Sequence, residues 1–470
     1  MNTKHPFVQY LSKHQFIPAI GDLPVLPPRM IVALPSYKEP DLLQSLEALY
    51  NCRRPSCFVE VIVVINHPEK TTEEAKQQNE KNLRETLQWA KQHNDNRLQF
   101  HIVYKPDVPE KVAGVGFARK TGMDEAVYRF QQTGVNDGVI IGFDADAKCD
   151  ENYFEEIEKT FFSGKHVNGA SIYYEHPVDE CEFSASVRVK TTDRAIAPSF
   201  GGNCIAAQQG AQQLEGIVLY ELHLRYLNQA LRYAGFPYAF HTVGSSFAVS
   251  ASAYVKQGGM NKRKAGEDFH FLQKIISLGD YVEINTTRVI PSPRPSDRVP
   301  FGTGASISQW IKSGHVGAGL APTLQTYPLE PFDDLKQLFA LVPLFYKTNS
   351  EEVTKLCTPL PYPIQEYLTH NDYLTHITQA NANSASPEAF AKRFFGWFDG
   401  LKTIKYLNES CRKVYVKQNP EVAAEKLLTI KNTPNGSSKL IKREIESTGR
   451  SAKELLQIYR KIERNEQNSG

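Results

Sequence analysis

Two carboxylates two positions apart, Asp144 and Asp146, follow the apolar run Ile140-Ile-Gly-Phe143. At that spacing, leaving a buried strand, they can hold a divalent cation that bridges a diphosphate. The bland alternative is that Asp144 caps a turn. A second pair, Glu267-Asp268, opens a segment with Phe269, Phe271, Leu272, Ile275 and Ile276 on its apolar side. Carboxylates at a helix start are favoured by the helix dipole and often do no more than cap it. Arg119 falls near another helix start, where its charge and nearby N–H groups can face a phosphate or a carboxylate. A salt bridge to Asp144 is the competing role, and it keeps Arg119 in the same site. The stretch Pro291–Gly304 carries Arg294 and Arg298 beside Thr303 and the Gly302 and Gly304 amides. That composition suits gripping a phosphate, against the alternative of a surface loop stiffened by proline.

These residues need a scaffold, and the chain reads as one that alternates strand and helix. Residues 1–28 form an irregular arm. Arg29–Pro35 and Phe58–Ile65 are short apolar runs that suit buried parallel strands. Asp41–Asn51 has Leu42, Leu43, Leu46 and Leu49 at helical spacing, with Asp41 able to cap it. A polar helix over Thr71–His93, a strand over Leu98–Tyr104, a helix over Phe117–Gln132 and a strand over Gly138–Phe143 follow. The rhythm predicts βαβ units and a parallel sheet. Beyond it come a helix over Glu215–Tyr233, a strand over His241–Val249 and a helix over Glu267–Leu278. From about Ile307 the chain is largely helical, and its last forty or so residues read as an exposed helix that frays. Parallel sheets bind ligands at the carboxyl ends of their strands, so the loops after Leu34, Ile65 and Phe143 are where chemistry belongs.

Composition narrows the classes. The 470 residues carry 54 Lys+Arg against 52 Asp+Glu, a formal charge of +2, which argues against global attraction to nucleic acid. The 7 cysteines are scattered without a CxxC pair, so a zinc ribbon or a disulfide framework is not expected. Cys149 reads as a small packing residue. The N-terminus has no apolar h-region, and Leu338–Tyr346 is far short of the ~20 residues that a membrane helix needs. The expected setting is a soluble, reducing, cytoplasmic one, with peripheral membrane contact left open.

Four motifs in order carry a family resemblance. Val32-Ala-Leu-Pro35-Ser-Tyr37-Lys-Glu39 resembles the opening strand and nucleotide loop of family 2 glycosyltransferases, commonly Pro-x-Tyr-Asn-Glu. Gly114-Val-Gly116-Phe-Ala118-Arg119-Lys-Thr-Gly122 resembles the family's Gly-x-x-Ala-Arg-Asn-x-Gly helix start. Phe143-Asp-Ala-Asp146 falls where the family places its Asp-x-Asp, and Gly258-Gly259-Met260 with Gly266-Glu267-Asp268 resembles its Gly-Gly-Phe…Glu-Asp signature. Together they span roughly residues 29–290. The resemblance implies a GT-A fold: an α/β, doubly wound, mainly parallel sheet with helices on both faces, to which this chain adds a helical C-terminal region. The expected domains are the arm over 1–28, a GT-A domain over 29–315 (nucleotide half about 29–150, acceptor half about 151–315) and helices over 316–470.

The resemblance also implies roles. Asp268, paired with Glu267, would be the general base that deprotonates an acceptor hydroxyl as it attacks the anomeric carbon. Asp146, with Asp144 as an auxiliary, would hold a manganese or magnesium ion on the donor diphosphate, and Arg119 would contact that diphosphate. Pro35, Tyr37, Glu39 and Asn66 would line the nucleotide. Ser245 and Ser246 would line the acceptor pocket. Two departures stand out. The family's second strand usually ends Asp-Asp-Gly-Ser, but here it ends Ile65-Asn66-His67-Pro68. The histidine that many members place after the Glu-Asp helix falls on or near Ser292, so Arg294 and Arg298 are expected to grip the diphosphate instead.

The expected activity is therefore a metal-assisted, inverting, non-processive glycosyltransferase of hexosyltransferase type. Its partners would be a nucleoside-diphosphate sugar and a hydroxyl acceptor (a glycan, lipid-linked or small molecule), with no nucleic acid. The Gln-x-x-Arg-Trp motif of processive synthases is absent, Ser308-Gln-Trp310 being only a fragment. A nucleotidyltransferase is the rival enzyme, but its first loop should be Gly-rich and basic. A silent binding protein is the other rival. Against it stand four carboxylates near one cleft, costly to crowd without a cation or a task. His241 and His270 read as structural, and the stripe Tyr220, Leu224, Leu231 as core. Tyr238, Phe240, Phe301 and Trp310 are candidate platforms for a sugar ring.

Overall fold

The computed structural model describes residues 5–179, 204–296, 302–313, 324–431 and 449–465. The chain divides into two compact units whose segments interleave. One comprises Met1–Val187, His241–Ala305 and Arg464–Gly470, and the other Arg188–Phe240 and Ser306–Glu463. Residues 188–240 thus group with the C-terminal helices.

The first unit is α/β and built on an eight-stranded sheet ordered β3-β2-β1-β4-β7-β6-β8-β5. The strands are β1 (Pro28–Ser36), β2 (Phe58–Pro68), β3 (Leu98–Val108), β4 (Val139–Gly142), β5 (Lys148–Cys149), β6 (Gly169–Tyr174), β7 (Phe247–Ser250) and β8 (Tyr281–Ile290). β3, β2, β1 and β4 run parallel, β7 reverses, β6 and β8 resume the first direction and β5 reverses again. β1 and β2 are almost wholly buried, the reason their sequences are near-continuous apolar runs rather than alternating ones. The crossover helices are α2 (Leu42–Tyr50), α3 (Glu73–His93) and α4 (Val115–Thr133). Right-handed crossovers put α2 and α3 on one face and α4, which returns from β3 to β4, on the other. Ser36 pairs with Ile65 and Ala33 with Gly142, so the loops after β1, β2 and β4 leave the same end of the sheet.

Three details differ from expectation. β2 continues through Asn66, which pairs with Lys105 inside the sheet instead of lying in the loop. Asp41 makes no side-chain cap on α2, because its carboxylate is taken by Gln44 and Arg294. The strand expected over His241–Val249 begins only at Phe247.

The N-terminal arm is not irregular throughout: α1 (Pro6–Lys13) buries Phe7 and Tyr10. Tyr10 and Tyr254 each donate a hydrogen bond of 2.7 Å to Asp124 Oδ1 in α4. Gly259 is left-handed, with φ of 76°, and a Cβ there would lie 1.9 Å from Tyr10 Oη. The arm is pinned again where Glu125 accepts from the Ala19 N–H and Arg129 donates to the Asp22 carbonyl. Arg129 also makes a fully buried bidentate pair with Glu60, at 2.6 and 2.7 Å. Burial would raise Glu60, but Arg129 holds its carboxyl below the usual range.

Helices α5 (Tyr153–Phe161), α7 (Ala251–Lys256) and α8 (Glu267–Ile276) complete the described first unit. The second unit is described as helices: α6 (Cys204–Tyr233), most of α9 (Thr303–Ser313), α10 (Glu330–Leu341), α11 (Ser350–Cys357), α12 (Tyr362–His370), α13 (Tyr373–Ala382), α14 (Pro387–Trp397), α15 (Gly400–Lys413), α16 (Pro420–Lys431) and α17 (Ala452–Asn465). In α6 the buried stripe is Leu222, Tyr226 and Ala230, offset from the expected Tyr220, Leu224 and Leu231. The last helix is not an exposed, fraying one. Leu455, Leu456, Ile458 and Tyr459 of α17 are buried, and Arg460 holds both oxygens of buried Glu221 at 2.7 and 2.8 Å. Arg225, also bonded to Glu221, reaches Glu463. Tyr238 packs on Phe236 and Phe395 within this core, and a methyl group at Gly216 would lie 2.7 Å from the Trp310 ring. Both aromatics therefore serve packing rather than offering an open sugar platform. Among the described residues, no helix is long and apolar enough to cross a membrane.

Candidate functional site

The carboxyl end of the sheet gathers charges from four segments of the first unit around one guanidinium. Arg119, in the first turns of α4, is 3% exposed. Its Nη2 lies 2.5 Å from Asp144 Oδ1 and its Nε 3.1 Å from Glu267 Oε1, while Nη1 donates to the Gly244 carbonyl. Asp144 comes from the loop after β4, Glu267 from the start of α8 and Gly244 from the loop before β7. Asp268, next to Glu267, is partly accessible. It accepts from the Phe269 N–H at 2.7 Å and from the Gly244 N–H. Gly244 sits where no side chain fits: a Cβ would be 2.4 Å from Arg119 Nη2 and 2.9 Å from Asp268 Oδ2. The sequence pointed to this glycine only as the start of Gly244-Ser245-Ser246, expected to line an acceptor pocket, and not as a close neighbour of Arg119 and Asp268.

Crowding shapes the protonation of this group. Burial disfavours the charge on Arg119, but Asp144, Glu267 and Asp268 outweigh it and raise its pKa. Glu267 is raised chiefly by burial, with Asp268 adding to the effect and Arg119 opposing it. Asp268 is raised by burial as well, against Arg119 and the two N–H donors. A carboxylate above its ordinary pKa is a stronger base, and one still partly open to solvent can meet a hydroxyl.

A second arginine organises the other side. Arg294 Nη2 lies 2.6 Å from Glu39 Oε1, Nη1 lies 3.0 Å from Asp41 Oδ2, and Nε is 3.1 Å from Ser292 Oγ. Its Nη2 is also 3.6 Å from Asp146 Oδ2. Asp41, Asp146, Lys148, Ser292 and Arg294 border a small recess of about 30 Å³, room for a water or two. Asp41 entered the sequence reading only as a helix cap, and its approach to Arg294 across the chain leaves no local sequence trace.

The predicted residues thus separate. Arg119, Asp144, Glu267 and Asp268 meet in one cluster; Glu39, Asp146 and Arg294 meet in a second. Tyr37 is partly exposed and bonds Thr71 Oγ1 at 2.9 Å. Pro35 is buried in β1, Glu39 is 0% and Asn66 3% exposed, and the Asn66 carbonyl accepts from Asn79. As they stand, Pro35, Glu39 and Asn66 support the loop from beneath rather than presenting a surface. Ser245 and Ser246 are 1% exposed and 3.3 Å apart at their hydroxyls. Arg298 and Phe301 lie outside the described residues.

The expected manganese or magnesium ion does not fit this arrangement. Among the described residues no three His, Cys, Asp or Glu side chains come together to hold a metal. Asp144 faces Arg119 and Asp146 faces Arg294, so an ion at either carboxylate would compete with a guanidinium for the same oxygens.

No protein-family model matches the chain, and no curated protein matches it. Solved structures do, at low identity. The Staphylococcus aureus TarS 1–349 structure in complex with UDP-GlcNAc is 12% identical, covering 82% of this chain and 92% of that one, with a TM-score of 0.35. The match to TarS itself covers 81% of this chain and 55% of that one, at 12% identity and a TM-score of 0.32. The mannosyltransferase PcManGT from Pyrobaculum calidifontis, in complex with GDP-Man and Mn2+, is 15% identical, covering 87% and 94%, with a TM-score of 0.34. All three likenesses are distant.

Proposed function

We propose that this chain is an inverting, non-processive glycosyltransferase of the family 2, GT-A type, which moves a sugar from a nucleoside diphosphate to a hydroxyl acceptor. The observation that carries the reading is the cluster of Asp144, Glu267 and Asp268 around buried Arg119. It joins the residues of three of the four sequence motifs, which lie far apart along the chain. The first motif ends at Glu39, one bond from Arg294 and so beside Asp146.

In this reading Asp268 takes the proton from the acceptor hydroxyl. The oxygen attacks the anomeric carbon, the carbon–oxygen bond to the diphosphate breaks, and the diphosphate leaves with the electron pair from the opposite face. The configuration inverts in one displacement. Arg119 is a positioning residue: through Glu267 and Gly244 it fixes the start of α8 and the backbone N–H that Asp268 accepts. Arg294 supplies positive charge toward the diphosphate. The donor half is about 29–150, and the acceptor half is drawn from about 151–315, of which 188–240 groups with the C-terminal helices.

A panel of nucleotide sugars, scored by thermal stabilisation of the full chain, tests the reading. A ligand that binds only the native state stabilises it by RT ln(1 + [L]/Kd), so the correct donor raises the melting temperature above its bare nucleoside. A panel in which no nucleoside diphosphate or its sugar shifts the melting temperature at millimolar concentration would overturn it.

A further inference from the structure

Outside the two arginine clusters, two thiols are in direct contact. Cys52, just beyond the end of α2, and Cys149, in β5, are both free thiols with Sγ atoms 3.5 Å apart. The approach is held by backbone. The Arg53 N–H donates to the Glu151 carbonyl at 2.8 Å, so the residue after Cys52 is already joined to the second residue after Cys149. β5 is fixed in turn by pairing Lys148 with Ile290 and Cys149 with Val289. Cys52 is 2% exposed, whereas Cys149 is partly accessible.

We propose that Cys52 and Cys149 are a modification site: a dithiol that small-molecule disulfides, such as glutathione disulfide, convert to an intramolecular disulfide. Cys149, the less buried of the two, gives up its proton and its thiolate attacks one sulfur of the oxidant. The oxidant's sulfur–sulfur bond breaks, one thiolate leaves and is protonated, and a mixed disulfide remains on Cys149. Cys52 then loses its proton and attacks Cys149 Sγ, and the second small thiolate departs. Two protein thiols are oxidised and one small disulfide is reduced to two thiols. Closing the bond requires the sulfurs to move from 3.5 Å to about 2.05 Å.

The position gives the modification a consequence. Cys149 is three residues beyond Asp146, and Lys148 and Asp146 border the same recess as Asp41, Gln44 and Ser45 of the α2 segment. The disulfide would lock the far end of α2 to the strand that carries this wall. Burial, with Cys52 and Asp150 alongside, raises the Cys149 thiol, so exchange is slow at neutral pH and faster in mildly alkaline buffer.

The test incubates the full, reduced chain with excess glutathione disulfide at mildly alkaline pH, then reads intact mass and a non-reducing peptide map. The expected result is loss of two hydrogens and a single linked peptide pair containing Cys52 and Cys149. Cys52→Ser should instead stop at glutathione attached to Cys149, since the resolving thiol is gone. A wild-type chain that stays fully reduced, that halts at the mixed disulfide, or that links other cysteines instead overturns the proposal. None of these readouts depends on sugar transfer, so the site stands or falls separately from the proposed activity.

Discussion

Arg119 Nη2 lies 2.5 Å from Asp144 Oδ1, which ties the first turns of α4 to the loop leaving β4 at the mouth of the sheet. The same side chain is 3.1 Å from Glu267, so a single cation fixes both carboxylate motifs that the sequence placed in separate segments. Arg119→Ala should cost stability on the order of 3–5 kcal/mol, the usual penalty for removing one partner of a buried ion pair. Chemical denaturation would measure it. Arg119→Lys should recover only part of the loss, because an ammonium lacks the planar fork that reaches Asp144, Glu267 and the Gly244 carbonyl together.

Asp268→Asn should leave nucleoside-diphosphate binding nearly intact and lower transfer by about 10²–10⁴, the usual worth of a general base. Near-native turnover in that variant would remove Asp268 from the proposed chemistry. Gly244→Ala is the complementary probe. Its methyl would collide with Arg119 and Asp268, so kcat should fall although no ionisable group is changed.

Glu267 gives a pH signature with a defined sign. Its folded pKa is raised from 4.5 to about 7, so the folded state binds more protons than the unfolded state between those values. The contribution is fully present below about pH 4.5 and is lost as pH rises through 7. The wild-type chain should therefore lose stability across that window relative to Glu267→Gln, measured by paired denaturation curves. A difference curve that is flat or rises with pH would show that Glu267 titrates normally.

Donor-diphosphate affinity should largely survive a strong chelator, since Asp144 and Asp146 each face an arginine. Arg294→Ala should weaken it about ten- to a hundred-fold, matching a lost charge-assisted contact of about 1.5–3 kcal/mol. Isothermal calorimetry with and without chelator decides the point. Binding that vanishes in chelator yet ignores Arg294→Ala would restore the metal to the diphosphate site.

The strands that were legible in the sequence are those whose burial is uniform. β1, β2 and β4 are apolar on both faces, so composition alone marks them. β6, with Gly169, Ala170 and Ser171 in its first half, and β8, with its irregular burial, show no such run. The buried charges were harder still. Glu60 with Arg129, Glu221 with Arg460 and Glu39 with Arg294 join positions remote in the chain, and a charged residue awaiting a distant partner looks like any solvated one. The site was legible as motifs because local spacing sets Asp144 against Asp146. The Arg119–Asp144 pair was legible too, as the competing role for that arginine; the approach of Arg294 to Asp146 was not, because Arg294 arrives from a segment remote in the chain.

The seat of the N-terminal arm bears on how the chain is made. Tyr10 leaves the ribosome early, but its partners are Asp124, Tyr254 and the cramped turn at Gly259. The helix that holds it can meet α4 early, but its seat is complete only once the segment after Phe240 has been synthesised, and by then residues 188–240 of the other unit have already emerged. Vectorial folding, N-terminal part first, is therefore blocked at both units: each needs sequence that follows a piece of the other. A nascent chain halted near residue 240 should hold α1 on α4 alone, and full protease resistance at the arm should appear only in nascent chains extended past Gly259.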